Sequence, residues 1–220
     1  PMGPSQTSSL LEVLIFVVPD PEATFHNMAQ TLIDIYSLQL FLKQWRPQKE
    51  IPMGRVRAKM TLGGPSLGGI MALSYAGIVG GFDKYFSLVG GSDIPLFLDT
   101  LIQRRDVVLA ISETFADAHW TFKRSVQSFL PWDPIVWAHR THADIMMVNA
   151  CNDEFLDPQQ TILNLQDLYG GKRLVTRWNF WGHNPISAPK ASLYFKFIAP
   201  LGQFVSGKRV STHSFEKKCL

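Results

Sequence analysis

Apolar positions along the chain follow two alternating rhythms. Residues 11–18 form a nearly unbroken apolar run rich in Val and Ile, the pattern of a parallel strand covered on both faces. Pro19, Asp20 and Pro21 stop it. From residue 22 to 45 apolar side chains recur every three or four positions (Met28, Leu32, Ile35, Leu38, Phe41), which predicts a helix opened by Pro21. A Pro/Gly-containing loop covers 46–54, and residues 56–62 predict the next strand. The helix that follows from Leu67 ends near Gly80 and Gly81, and a strand over 85–89 is closed by Gly90, Gly91, Ser92 and Asp93. Strand, helix, strand, helix, strand is the alternation of an α/β protein with a parallel sheet.

Residues 94–142 interrupt this rhythm with helical, aromatic-rich sequence that includes Phe97, Phe115, Trp120, Phe122, Phe129, Trp132 and Trp137. Two readings stand side by side: a small helical cap that walls a pocket with apolar rings, or two ordinary helices packed on the sheet. Strands over 144–149 and 174–180 then alternate with helices over 158–168 and 188–204. Five strands, at Leu11, Val56, Tyr85, Asp144 and Leu174, suffice for a mostly parallel central sheet flanked by helices. No repeat, low-complexity tract or linker divides the chain, so residues 1–220 read as one domain with loose ends over 1–9 and 206–220.

The stretch with the most chemical content runs over residues 60–73, Met-Thr-Leu-Gly-Gly-Pro-Ser-Leu-Gly-Gly-Ile-Met-Ala-Leu. A short strand leads into glycines, Ser66 stands between Gly64 and Gly68, and a helix begins at once. This is a Gly-x-Ser-x-Gly nucleophile elbow in its strand-turn-helix setting. The turn is tight enough to strain the serine backbone, and glycines two residues to either side leave room for it. Ser66 is thereby held at the positive end of a helix, where the amide of Leu67 can face a developing oxyanion. A plain Gly-rich turn before a helix, or a phosphate cradle, would share the glycines. The loop lacks the Gly-Lys-Ser/Thr ending of a P-loop and the spacing of Gly-x-Gly-x-x-Gly.

Around this stretch the chain resembles the α/β-hydrolase family, from about Leu10 to Phe204. Three blocks carry the resemblance in the family's order of nucleophile, acid, histidine: Gly64-Pro65-Ser66-Leu67-Gly68-Gly69, then Ile145 through Asp153, then Trp181-Gly182-His183. Within the family the chain looks most like esterases of the dienelactone-hydrolase type. The resemblance implies Ser66 as nucleophile, His183 as the base and Asp153, four residues past an apolar strand, as the acid that orients it. Asp157 in the same loop and Asp93 at the end of the preceding strand are the alternatives for the acid. Aromatic walls from Phe97, Trp120, Trp132 and Trp181 suit a short acyl or aromatic ester, and the reaction needs no cofactor.

One part of the pattern departs from the family. The second oxyanion donor should come from the loop at residues 18–22, where Pro19 and Pro21 have no N–H, which leaves Asp20, or else Glu22 or Ala23. The strand at Leu11 and the helix after it also look like the family's fourth strand and second helix, so the strands that normally precede them are expected to be absent. A non-catalytic or truncated scaffold that binds a ligand or partner is therefore the alternative function.

Composition limits the remaining classes. The 220 residues are 46% hydrophobic and 18% charged, as in a globular protein, and the net charge of +3 is not gathered into one block. No Lys or Arg precedes Lys43, and the pairs Lys208-Arg209 and Lys217-Lys218 read as a solvated end, so nucleic acid is not an expected partner. The early apolar run at 13–18 is too short to cross a bilayer and has no basic residue ahead of it. With two distant cysteines, Cys151 and Cys219, no disulfide is indicated, and the expected setting is cytoplasmic, with a small-molecule ester as the partner. His139, His142 and Asp144 form a string that suggests a metal, but two loop histidines are more often solvated, and none is expected.

Overall fold

The structure is a computed structural model that describes residues 21–44, 59–91, 93, 95–96, 127–151, 153, 174–179 and 197–210. The predicted strand over 11–18 and helix over 158–168 lie outside them. A helix, α1, spans Pro21–Gln44. Strand β1 (Thr61–Pro65) leads through Ser66 into α2 (Leu67–Ile78), which is followed by β2 (Lys84–Leu88). A short helix α3 (Pro134–Trp137) stands between single 3₁₀ turns at Leu130–Trp132 and Ala138–Arg140. Strands β3 (Asp144–Ala150) and β4 (Leu174–Asn179) and helix α4 (Ala199–Val205) complete the described elements. The sheet order is β1-β2-β3-β4 with every neighbouring pair parallel.

The sequence places the strand before the elbow at 56–62, but β1 begins at Thr61 and continues through Gly63, Gly64 and Pro65. Side-chain propensity ends a strand at glycines, whereas the ladder is made by backbone groups. Gly63 pairs with Phe86 in the register, and a Cβ at Gly63 would fall inside the Phe86 ring. The missing side chain is thus the space that the ring occupies. Of the last helix, predicted over 188–204, residues 188–196 lie outside the described residues, and α4 occupies Ala199–Val205.

The two faces of the sheet have different cores. Leu88, Met146, Val148 and Ala150 face Phe204 and Val210, with Phe86, Phe197, Leu201 and Val205 closing the cluster, so α4 covers this side. On the other side Tyr85 meets Phe82, which meets Tyr75 of α2, with ring centroids 6.0 and 5.7 Å apart. Residues 145–150 of β3 are all buried, as expected of a strand covered on both faces. Lys84 is also buried; its Nζ donates to the carbonyls of Phe204 and, at 3.2 Å, Val205. An ammonium there adds a charged donor to carbonyls at the end of α4, where Phe204 also accepts from the Gly207 amide, and complements the helix dipole.

Helix α1 is tied to the far end of α2 by one buried amide. Gln39 Nε2 donates to the Gly80 carbonyl at 3.1 Å, while its Oε1 accepts from the Tyr75 hydroxyl at 3.3 Å. Residues 127–140 of the aromatic-rich segment lie along α2: the Ser74 hydroxyl donates to the Trp132 carbonyl, and Trp132 meets Phe25 of α1 at 4.9 Å. A Cβ at Gly77 would stand 2.5 Å from both Cβ and the carbonyl oxygen of Trp137. Residues 97–126 lie outside the described residues.

Cys151, directly after β3, is disulfide-bonded, against the expectation of no disulfide. Distance along the chain does not limit distance in space once a sheet has folded the chain back on itself, and a disulfide needs only two Cα atoms within about 7 Å. A bonded cysteine does not point to a reducing compartment. Among the described residues no helix is long and apolar enough to cross a membrane.

Two outcomes test this packing. Gly77→Ala should cost about 1–3 kcal/mol in urea unfolding, because its methyl meets Trp137 backbone that cannot give way. Gly202→Ala in α4, where a Cβ meets nothing within 4 Å, should instead stabilise by about 0.5–1 kcal/mol. A second test is alkaline. Burial pushes Tyr75 and Tyr85 up from 10.0 to about 12, with the charge of Tyr36 adding to the rise at Tyr75. The native state then keeps protons that the unfolded chain has released, so this stability is complete below the unfolded value and is lost as pH rises through the folded one. The melting temperature should fall between pH 10 and 12. Tyr75→Phe with Tyr85→Phe should flatten that slope even if it lowers the starting value.

Candidate active site

Ser66 sits between the end of β1 and the start of α2 with φ 48° and ψ −123°. An L residue with a Cβ rarely takes positive φ, and holding one there costs of order 1–3 kcal/mol unless the surroundings fix it. The surroundings do so from both sides. The Ser66 N–H donates to the Leu88 carbonyl at 2.8 Å, which prolongs the β1–β2 ladder by one rung. The Ser66 carbonyl accepts from Gly69 at 2.8 Å and Ile70 at 3.1 Å, which starts the helix. Among the described residues no carbonyl accepts from the amides of Leu67 and Gly68. Both donors are thus left at the positive end of α2, beside the half-buried serine.

Glycines make the turn possible, though not quite those that the motif names. Gly64 is needed: its Cβ would lie 3.0 Å from the Gly68 carbonyl carbon. Gly68 has room, with the nearest atom 3.7 Å away. The tight position is Gly69, whose Cβ would meet the Ser87 hydroxyl and stand 2.9 Å from the Gly64 carbonyl oxygen. Gly90 is similar: its Cβ would stand 2.9 Å from the Ser66 carbonyl oxygen and 3.0 Å from the Gly69 Cα. Ser87, buried in the middle, is small enough to sit between these backbones, and its hydroxyl has no hydrogen-bond partner among the described residues. Its place here is steric: a larger side chain would push α2 off the sheet.

The segment after β2 backs the elbow and is itself strained. Val89 has φ 44° and Asp93 φ 62°, both without the excuse of being glycine. A β-branched residue at positive φ is an outlier, and Val89 is held there by its N–H donating to the Val148 carbonyl at 2.8 Å. Three strained non-glycine residues thus gather around one turn, the usual sign that a site is held in a set geometry. Asp93, an alternative acid, has a carboxylate oxygen that accepts from the Leu96 amide at 3.2 Å.

The other predicted site residues divide between described and undescribed positions. Asp153 is partly buried, two residues past Cys151 and beyond the end of β3. Trp132 packs between α1 and α2 beside Ser74, two helical turns from Ser66. His183, Asp157, Asp20, Phe97, Trp120 and Trp181 lie outside the described residues. A cavity of about 690 Å³ lies at the opposite end of α2 from Ser66, lined by Gly80, Asp83, His139, Arg140 and His142 among others. Its open, polar rim carries no nucleophile. Among the described residues no three His, Cys, Asp or Glu side chains come together as a metal site.

Asp133 was not legible as a site residue. The Asp-Pro pair at 133–134 signals a helix start, and Asp133 does cap α3 by accepting from the Ile135 amide at 3.0 Å. The sequence has no sign that the same oxygen accepts from the Asp93 amide at 2.9 Å, forty residues away.

No family model matches the chain, and no curated protein matches it in sequence. Solved structures do. An acetyl xylan esterase from Paenibacillus sp. R4 superposes with a TM-score of 0.59 at 15% identity, covering 82% of this chain and 52% of its own. The Pyrococcus horikoshii acylaminoacyl peptidase gives 0.56 at 16% identity, covering 84% of this chain and 29% of its own. A Paleococcus ferrophilus monoacylglycerol lipase gives 0.53 at 14% identity, covering 81% and 75%. The chain therefore spans about half the length of the esterase and less than a third of the peptidase. A four-stranded parallel sheet, a strained serine between its first strand and a helix, and these superpositions lead to one conclusion: this chain has the α/β-hydrolase fold.

Proposed function

We propose that the protein is a serine hydrolase that cleaves carboxylic esters through an acyl-enzyme on Ser66. The observation that supports this most is the conformation of Ser66, φ 48° and ψ −123°, in glycine-tight packing directly ahead of a helix whose first two amides have no acceptor among the described residues. A mere turn into a helix has no need of such strain. Ser66 attacks the ester carbonyl, and the oxyanion forms against the Leu67 amide at the helix start, with Asp20 as the proposed source of a second donor. His183 takes the serine proton and passes it to the leaving alkoxide, while Asp153 fixes the imidazole and stabilises its cation. Water then attacks the acyl carbonyl as His183 takes its proton, and His183 returns that proton to the Ser66 oxygen as the ester bond to Ser66 breaks and the acid leaves. The substrate is a small ester, with Phe97, Trp120, Trp132 and Trp181 as its proposed apolar walls.

The test is fluorophosphonate labelling, followed by p-nitrophenyl acetate and butyrate hydrolysis on the same samples. Ser66→Ala should abolish labelling, and both it and His183→Ala should lower turnover by at least about a thousandfold. Asp153→Asn should lower turnover by about ten- to a thousandfold, with Asp93→Asn and Asp157→Asn far milder; a larger loss at either would move the acid there. A cooperatively folded wild type that neither labels nor turns over would sink the hydrolase reading in favour of a binding scaffold.

A further inference from the structure

Asp133 has no part in the reaction just described, yet its carboxylate is fully buried. One of its oxygens accepts two amide protons, from Ile135 at 3.0 Å and from Asp93 at 2.9 Å. Capping a four-residue helix accounts for the first bond only. The second crosses from the aromatic-rich segment to the strand exit behind the nucleophile. That exit is held in positive-φ backbone at Val89 and again at Asp93, and between them Gly90 lies against the Ser66 carbonyl and the Gly69 Cα. At the Val89 end the clamp is the hydrogen bond to Val148. At the Asp93 end it is the Asp133 carboxylate. A charged acceptor makes the stronger hydrogen bond, and burial keeps water from competing for the amide.

We propose that Asp133 is a positioning residue for the nucleophile: its carboxylate holds the exit of β2 in the strained shape that backs the Ser66 turn. This rests on the hydrolase reading above. Through Asp133 the segment 127–140, packed along α2, sets the geometry of the elbow without touching substrate. A shift of the exit would pass to the Ser66 carbonyl and the Gly69 Cα, because Gly90 approaches both so closely that not even a Cβ would fit between. Small displacements of a nucleophile are costly, with a 1 Å error reaching about 100-fold in rate.

Three variants separate positioning from simple stability. Asp133→Asn keeps an oxygen acceptor for both amides. Asp133→Ser keeps a cap for α3, but its shorter side chain does not span to Asp93. Asp133→Ala removes both bonds. Each is assayed at a temperature where circular dichroism shows it folded, for the fluorophosphonate labelling rate, kcat and KM for p-nitrophenyl acetate, and amide exchange at Asp93. Gly77→Ala serves as a control that loosens the same segment away from the elbow. The expected result is near-parental labelling for Asp133→Asn, and a 10- to 100-fold fall in labelling and kcat for Asp133→Ser and Asp133→Ala. KM should be nearly unchanged and the Asp93 amide should exchange faster, while the control labels normally. If Asp133→Ser and Asp133→Ala label at the parental rate, or if the control slows as much as they do, the positioning role is overturned while the hydrolase reading stands. A folded wild type that fails to label overturns both.

Discussion

Everything around the candidate site depends on how closely α2 can approach the sheet. The backbones at Gly69 and Gly90 close on the buried hydroxyl of Ser87 while Gly64 lies against Gly68, and none of the three has free space for a methyl group. Such contact between backbones stabilises nothing in itself. It fixes the angle at which the helix leaves the strand, and that angle forces positive φ on Ser66. The strain is sustained because hydrogen bonds on both sides of Ser66 are part of structures that are stable for other reasons: the β1–β2 ladder and the first turn of α2.

The remainder of the core acts as the support for that contact. Helix α4 covers one face of the sheet with Phe204 at its centre, and α2 covers the other through Tyr75, Phe82 and Tyr85. The buried polar groups are placed where they join elements. Gln39 links α1 to the end of α2, Lys84 links β2 to the end of α4, and Asp133 links the aromatic-rich segment to the strand exit. Each of the three bonds to backbone groups at an element's end, which is why burial of polar or charged side chains is tolerated there.

The order of elements was legible in the sequence because it rests on local patterns. The period of the apolar residues separates α1 from the strands, and Pro21, Gly80 and Gly81 punctuate them where the structure does. The elbow was legible for the same reason: Gly-x-Ser-x-Gly lies within five residues, and its chemistry is a property of one turn. The details failed where a contact joins distant residues. Strand β1 runs on through its glycines because Phe86 fills the space above Gly63. Gly68 has room and Gly69 does not, because Ser87 sits across from the latter. The bonded Cys151 was missed because its spacing from Cys219 gives no hint of where the intervening strands lead.

The sequence by itself determined the alternation of strand and helix and the serine turn, since each is encoded in neighbours along the chain. Only the tertiary structure decided which glycines are tightly packed, that Val89 and Asp93 share positive φ with Ser66, and that the Asp133 carboxylate accepts from the Asp93 amide. Those facts depend on distances between residues far apart along the chain, such as Val89 and Val148 or Asp93 and Asp133. Such distances are set when parallel strands come into register and a helix packs down on them, and no local pattern in the chain carries that information.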